Sequence, residues 1–200
     1  MFANMKIGLR LALGFAAVLV LLLAVAAVGY TRISALNVQV EGLVNDKFPK
    51  TVAANDVIDS INVIARRLRN AYIFKDAESA KEVDAIPEQR KIISDRLDKL
   101  EKTITSDEGK ALLKKVQEAR KGYVDDQDQF LSLLKANKRD DAVAMLSGEL
   151  RKSQTDYIKS VTDLIALQES LVEKAGKEAE AMADAAERML IILAAAAAAL

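Results

Sequence analysis

Polar side chains stand where helical periodicity expects apolar ones. Arg90 interrupts the run Val83, Ile86, Ile93, Leu97, Leu100 and Ile104. Tyr123 and Gln127 interrupt Leu112, Val116, Ala119, Phe130 and Leu134. Ser153 and Tyr157 interrupt Leu146, Leu150, Val161, Leu164, Gln168 and Leu171. Arg69 and Arg120 lie about 40° from the centres of their own stripes at ~100° per residue. Guanidinium, hydroxyl and amide groups together suit recognition of an anion rather than bond breaking. A buried guanidinium needs a charged partner. No Asp or Glu sits centrally on these stripes, although Asp126 and Glu149 lie near their edges. A carboxylate ligand would answer the need by paired N–H···O bonds, with Tyr123 and Tyr157 donating hydroxyls and Ser153 and Gln127 completing the shell. The number of positive charges favours two or three carboxylates over one. A second reading stays open: Arg90 and Arg120 snorkel outward to surface carboxylates, and the tyrosines are core residues with their hydroxyls at the rim.

The rest of the chemistry is narrowed by what is missing. The 200 residues contain no His and no Cys. That removes the common general base, thiol nucleophiles, disulfides and the usual zinc ligands. Lys+Arg and Asp+Glu are 29 each, so the net charge is zero, and no nucleic-acid partner is expected. No phosphate loop, dinucleotide fingerprint or EF-hand loop occurs. Asp125, Asp126 and Asp128 point in different directions on a helix and read as a solvated face. The chain is read as a non-enzyme with no cofactor.

The elements that position these residues are helices. A further stripe, Ala54, Ile58, Ile61, Ala65, Leu68 and Tyr72, precedes the three above. Spacings of three and four put one apolar face on each helix, and no segment alternates with period two. Breaks are expected at Lys75-Asp76-Ala77, at the capping box Thr105-Ser106-Asp107-Glu108, and at Ala136 to Asp140, with Asn137 in a left-handed turn and Asp140 as N-cap. Four helices follow, at about 31–75, 77–104, 105–136 and 140–188, in an all-α, antiparallel up-down-up-down bundle. Pro49 and Pro87 each kink a helix or start a new one. Counted from the turns at Asp76 and Asn137, Arg66, Arg69, Arg90, Arg120, Tyr123, Gln127, Ser153 and Tyr157 share a slab about 10–30 Å below the bundle tip. Leu and Ile fill the stripes beyond it.

The ends read as membrane segments. Leu11 to Tyr30 is a 20-residue run without a charge, enough to cross ~30 Å of hydrocarbon. Lys6 and Arg10 precede it, which puts residues 1–10 in the cytoplasm and Thr31 onward outside. A cleaved signal peptide ending near Ala24-Val25-Ala26 is the competing reading. Met189 to Leu200 (MLIILAAAAAAL) reads as the start of a second, truncated membrane helix, leaving 31–188 as the outer domain.

A cytoplasmic start, a membrane helix, an outer helical bundle and a second membrane helix resemble the N-terminal half of a methyl-accepting chemotaxis protein. The residues carrying the likeness are Phe48-Pro49, Ala65-Arg66-Arg67-Leu68-Arg69, and Asp141-Ala142-Val143-Ala144-Met145-Leu146-Ser147-Gly148-Glu149-Leu150. The resemblance covers nearly the whole chain and rests mostly on helix patterning. It implies an inner-membrane homodimer with residues 31–188 in the periplasm. It implies a small-molecule ligand held by arginines late in the first bundle helix, where Arg66 and Arg69 fall, assisted by the fourth. Family members space three arginines more widely than Arg66-Arg67-x-Arg69. Signalling would pass a small helix displacement inward, reaching cytoplasmic partners through a C-terminal half that lies beyond this sequence. The rivals are the sensor half of a histidine kinase and an anchored bundle with a structural or protein-binding role. Arg67 points off the stripe and reads as a solvated or dimer-face charge.

Overall fold

A computed structural model describes residues 6–198; the expectations placed on residues 1–5, Ala199 and Leu200 lie outside it. Every regular element among the described residues is helical: α1 (Ile7–Gly42), a π-helical turn (Leu43–Lys47), α2 (Phe48–Ile73), α3 (Asp76–Asp84), α4 (Ile86–Thr103), α5 (Asp107–Lys135), α6 (Arg139–Ser147) and α7 (Glu149–Ala198). The chain forms two compact units, one of residues up to Asn45 and from Val172 onward, the other Asp46–Leu171.

Asp46–Leu171 is the helical bundle. Its legs are α2, then α3 with α4, then α5, then α6 with the first part of α7. Cross-leg partners step in opposite directions along neighbouring legs, the mark of antiparallel packing. Arg96 bridges Asp56 while Arg67 bridges Glu82 between the first two legs. Between the second and third, Glu101 accepts from Gln117, Ser94 from Arg120, and Arg90 donates to Gln127. The core runs through Val57, Ile61, Ile64 and Leu68 on the first leg, Ile86, Ile93, Leu97 and Leu100 on the second, Val116, Tyr123 and Phe130 on the third, and Tyr157, Val161 and Leu164 on the fourth. On α2 the buried face is rotated slightly from the stripe read in the sequence. Val57, Ile64 and Ala71 are buried, while Ile58 and Tyr72 are half-buried.

The legs are broken more finely than the pattern indicates. Pro49 is the second residue of α2, and the π turn precedes it. Pro49 offers no N–H to the carbonyl one turn back, so the ladder there widens. Lys50, only 9% exposed, closes onto Asp46 at 2.7 Å. Pro87 likewise stands second in α4, and the expected helix 77–104 is split at Ala85. The expected helix 140–188 is split at Gly148, whose φ and ψ of −102° and −101° fall outside the helical region. The cap of the third leg is Ser106, not Thr105: its Oγ accepts from the amide of Gly109 at 3.2 Å, because Ile104 is already extended and the helix opens at Asp107. Asn137 takes the expected left-handed turn at φ 58°, but Lys138 then occupies the N-cap position, without a side-chain cap bond. Asp140 falls in the first turn of α6, where its charge still favours the helix N-terminus. Asp76, at φ 50°, makes the other left-handed corner.

In the other unit α1 has no buried residue, and Gln39 donates to Glu178 at 3.0 Å. The helical run beginning at Ile7 contains an 18-residue window of mean hydropathy 2.9, none of it buried, long and apolar enough to cross a membrane by length and composition.

Candidate functional site

The polar residues read from the stripes fall into three settings. Tyr123 and Tyr157 are in the core, each 1% exposed, with ring centroids 6.1 Å apart and planes at 51°. Neither hydroxyl has a hydrogen-bond partner. Burial pushes both phenols above their ordinary range. The positive charges of Arg90 and then Arg69 act the other way on Tyr123, as Arg120 does on Tyr157.

Arg90, Arg120 and Gln127 form a second group between α4 and α5. Arg90 donates through Nε to Gln127 Oε1 at 3.0 Å and through Nη2 to Asp128 Oδ1 at 2.7 Å. Gln127 is 1% exposed, so Arg90 satisfies a buried amide from inside and a surface carboxylate from outside. Arg120 Nη2 donates to Ser94 Oγ at 2.6 Å and to the Arg90 carbonyl at 3.5 Å. Asp128, placed by the sequence reading on a solvated face, is thus the carboxylate partner of Arg90.

Arg66 and Ser153 stand apart from both groups. Arg66 is exposed on α2. Ser153 is half-buried and donates to the carbonyl of Leu150 on its own helix. Arg67 is not a solvated charge: it is half-buried and reaches Glu82 at 3.1 Å, beside Asn70, which donates to the same carboxylate at 3.2 Å.

Arg69 and Tyr123 line a cleft of about 500 Å³ between α2, α5, α6 and α7. Its floor is apolar, with Ala65, Leu68, Leu146 and Leu150. Its polar wall adds Ser147, Arg151, Gln154 and Thr155. No Asp or Glu is among the lining residues. Arg69 is exposed and anchored by Nε to the carbonyl of Ala65 at 3.3 Å, and its terminal nitrogens make no hydrogen bond or ion pair among the described residues. Thr155 Oγ1 holds the Arg151 carbonyl at 2.9 Å. The cleft therefore presents two guanidinium groups and the Gln154 amide over an apolar base, with Ser147 and Thr155 hydroxyls already donating within their own helices and the buried Tyr123 ring in its wall. A mostly apolar hollow with a few convergent polar groups is the ordinary form of a small-molecule site. Arg151, Gln154 and Thr155 escaped the sequence reading because they flank the fourth stripe rather than interrupt it. The break at Gly148 separates α6 from α7, both of which line the cleft.

Among the described residues this arrangement pairs no nucleophile with a base. A family model described as "Four helix bundle sensory module for signal transduction" matches residues 4–183. No curated protein matches the chain. The family is a sensory one, not a catalytic one. With the matched span covering nine-tenths of the chain and an apolar helix at its start, the protein belongs to the four-helix-bundle sensory modules of methyl-accepting chemotaxis proteins, as a membrane-associated, signal-transducing sensor.

Proposed function

We propose that this sensor binds a small organic anion, with two or three carboxylates, in the cleft lined by Arg69, Tyr123 and Arg151. The observation that supports the reading is a concave site with two arginines, no carboxylate of its own, and a buried hydroxyl without a partner. Each guanidinium takes a carboxylate by paired hydrogen bonds, and the Tyr123 hydroxyl gains the acceptor it lacks. Arg90 and Arg120 contribute positive potential from behind the tyrosines. Ser153, Gln127, Tyr157 and Arg66 are outside the cleft wall and are assigned no direct contact.

The reading extends to transmission. α7 lines the cleft at its start and continues without a break to Ala198. A ligand that draws α2 and α7 together favours one signalling state by the difference between its affinities for the two states, and by nothing more. A shift of about 1–2 Å is within the range of such helix motions. In this reading the sensor works as a homodimer in the inner membrane, with residues 31–188 in the periplasm and its output passed to cytoplasmic signalling partners. Titration calorimetry of the whole chain in lipid nanodiscs, against succinate, citrate and uncharged amides of both, tests the proposal. Saturable heat with the acids and none with the amides is expected. Silence from every acid refutes it.

A further inference from the structure

Helix α6 supplies Val143, Leu146 and Ser147 to the wall of the anion cleft, yet its own sequence holds it weakly. It is nine residues long, its N-cap Lys138 makes no side-chain cap bond, and it stops at the non-helical Gly148. Isolated helices shorter than ~12–15 residues are marginal in water, so tertiary contacts must fix this one. Two of its residues, Ala142 and Met145, are buried.

A further hold comes from Arg139, its first residue. The half-buried guanidinium lies 4.6 Å over the Tyr72 ring of α2, and its Nη2 donates to the Tyr72 carbonyl. Tyr72 stands in the last turn of α2, where carbonyls lack donors within the helix and where α2 has no basic residue of its own. Arg139 answers both needs: it meets an open carbonyl and sets positive charge at the negative end of the α2 dipole. A planar guanidinium can stack and donate at once, which an ammonium cannot do in the same way.

This clamp and the cleft lie on one seam. From Tyr72, steps of three or four residues down α2 reach Arg69 or Leu68 and then Ala65. From Arg139, steps of four and three along α6 reach Val143 and then Leu146. Such spacings stay on one helix face. All five residues line the cleft, while Arg139 does not, standing roughly one turn beyond it.

We propose that Arg139 is a positioning residue for the anion site: by clamping α6 to the end of α2 it fixes the spacing of the two helices across the cleft. The inference rests on the anion reading of that cleft. Without the clamp α6 samples other placements, and apparent affinity falls by the fraction of molecules that keep the competent one.

The test uses the whole chain in nanodiscs. Succinate calorimetry compares the wild type with Arg139→Ala, Tyr72→Leu, Tyr72→Phe and Ser106→Ala, the last at the opposite end of α5. Arg139→Ala should weaken binding roughly fivefold or more, and Tyr72→Leu by less, since the carbonyl bond remains. Tyr72→Phe keeps the ring and should bind as the wild type does. Ser106→Ala should lose stability without losing affinity. Hydrogen exchange without ligand should show α6 amides about tenfold less protected in Arg139→Ala, with α4 and α5 unchanged. Circular dichroism confirms that the variants fold. No heat from the wild type refutes the anion reading, and the exchange then judges the clamp by itself. Wild-type heat with undiminished affinity in folded Arg139→Ala overturns the positioning role alone. So does an equal loss of affinity in Ser106→Ala, or unchanged protection of α6.

Discussion

Tyr123 and Tyr157 meet ring to ring in the core, 6.1 Å between centroids, and both bury hydroxyls that find no acceptor among the described residues. Two unmet donors at one level of an apolar bundle are costly, on the order of 1–3 kcal/mol each. Their burial places a polar requirement beside the cleft of Arg69 and Arg151.

Tyr123→Phe should therefore stabilise the ligand-free protein by about 1 kcal/mol, because it removes an unsatisfied group at nearly constant volume. The same change should weaken succinate binding, since in the proposed complex the hydroxyl gains its acceptor from the ligand. Urea midpoints and calorimetry on one pair of samples check both signs. A destabilised Tyr123→Phe, or one that binds as wild type does, would contradict the role given to this hydroxyl.

The phenols also set an alkaline limit. Burial raises both above the ordinary value near 10, so the unfolded chain releases those protons first. Their contribution to stability is whole below pH 10 and is lost as pH rises beyond it. The thermal midpoint of the wild type should fall between pH 9.5 and about 11 more steeply than that of Tyr123→Phe/Tyr157→Phe. Parallel curves would mean that the rings are more hydrated than their 1% exposure implies.

Arg90 and Asp128 should separate cleanly. Asp128 is 59% exposed at its side chain, so Asp128→Ala removes a solvated pair and costs about 0–1 kcal/mol. Arg90→Ala also strips the carbonyl of buried Gln127 of its donor and costs about 1–3 kcal/mol. Chemical denaturation of the two variants decides the order, and equal losses would show that the Gln127 bond carries no weight.

Most of the fold could be read in the chain, because spacings of three and four apolar residues are local and survive without coordinates. The stripes of α4 and α5 hold nearly position for position. On α2, runs such as Ile61, Val63, Ile64 and Ala65 leave the face ambiguous by one residue, and the fold buries Ile61, Ile64 and Ala65 while leaving Val63 half-buried. Arg90 and Tyr123 stood out because they broke an apolar stripe. The identity of their partners did not, since the meeting of Arg90 with Asp128 depends on the register of two helices joined by a turn. Arg151, Gln154 and Thr155 sit beside a stripe and look like any solvated face. Only the folded bundle brings them into one cleft with Arg69.

Gly109 illustrates a constraint of another kind. A Cβ there would lie 2.6 Å from Ile104 Cγ2 and 2.8 Å from Ser106 Oγ. Ile104 is buried and cannot yield. Gly109→Ala would ordinarily favour a helix by up to about 1 kcal/mol. Here it displaces the cap and should destabilise by more than Ser106→Ala, which costs about 1 kcal/mol. Thermal melts of the two variants report the order, and a stabilised Gly109→Ala would show that the α4–α5 corner is looser than drawn.

In the proposed complex, arginines from the first and fourth legs share one anionic guest. Succinate titration of the whole chain in nanodiscs, comparing wild type with Arg69→Ala, Arg151→Ala and the double variant, addresses it directly. Each single change should weaken binding at least tenfold with helicity intact, and the double should bind no succinate measurably. Undiminished affinity in both single variants would place the ligand elsewhere and contradict the account.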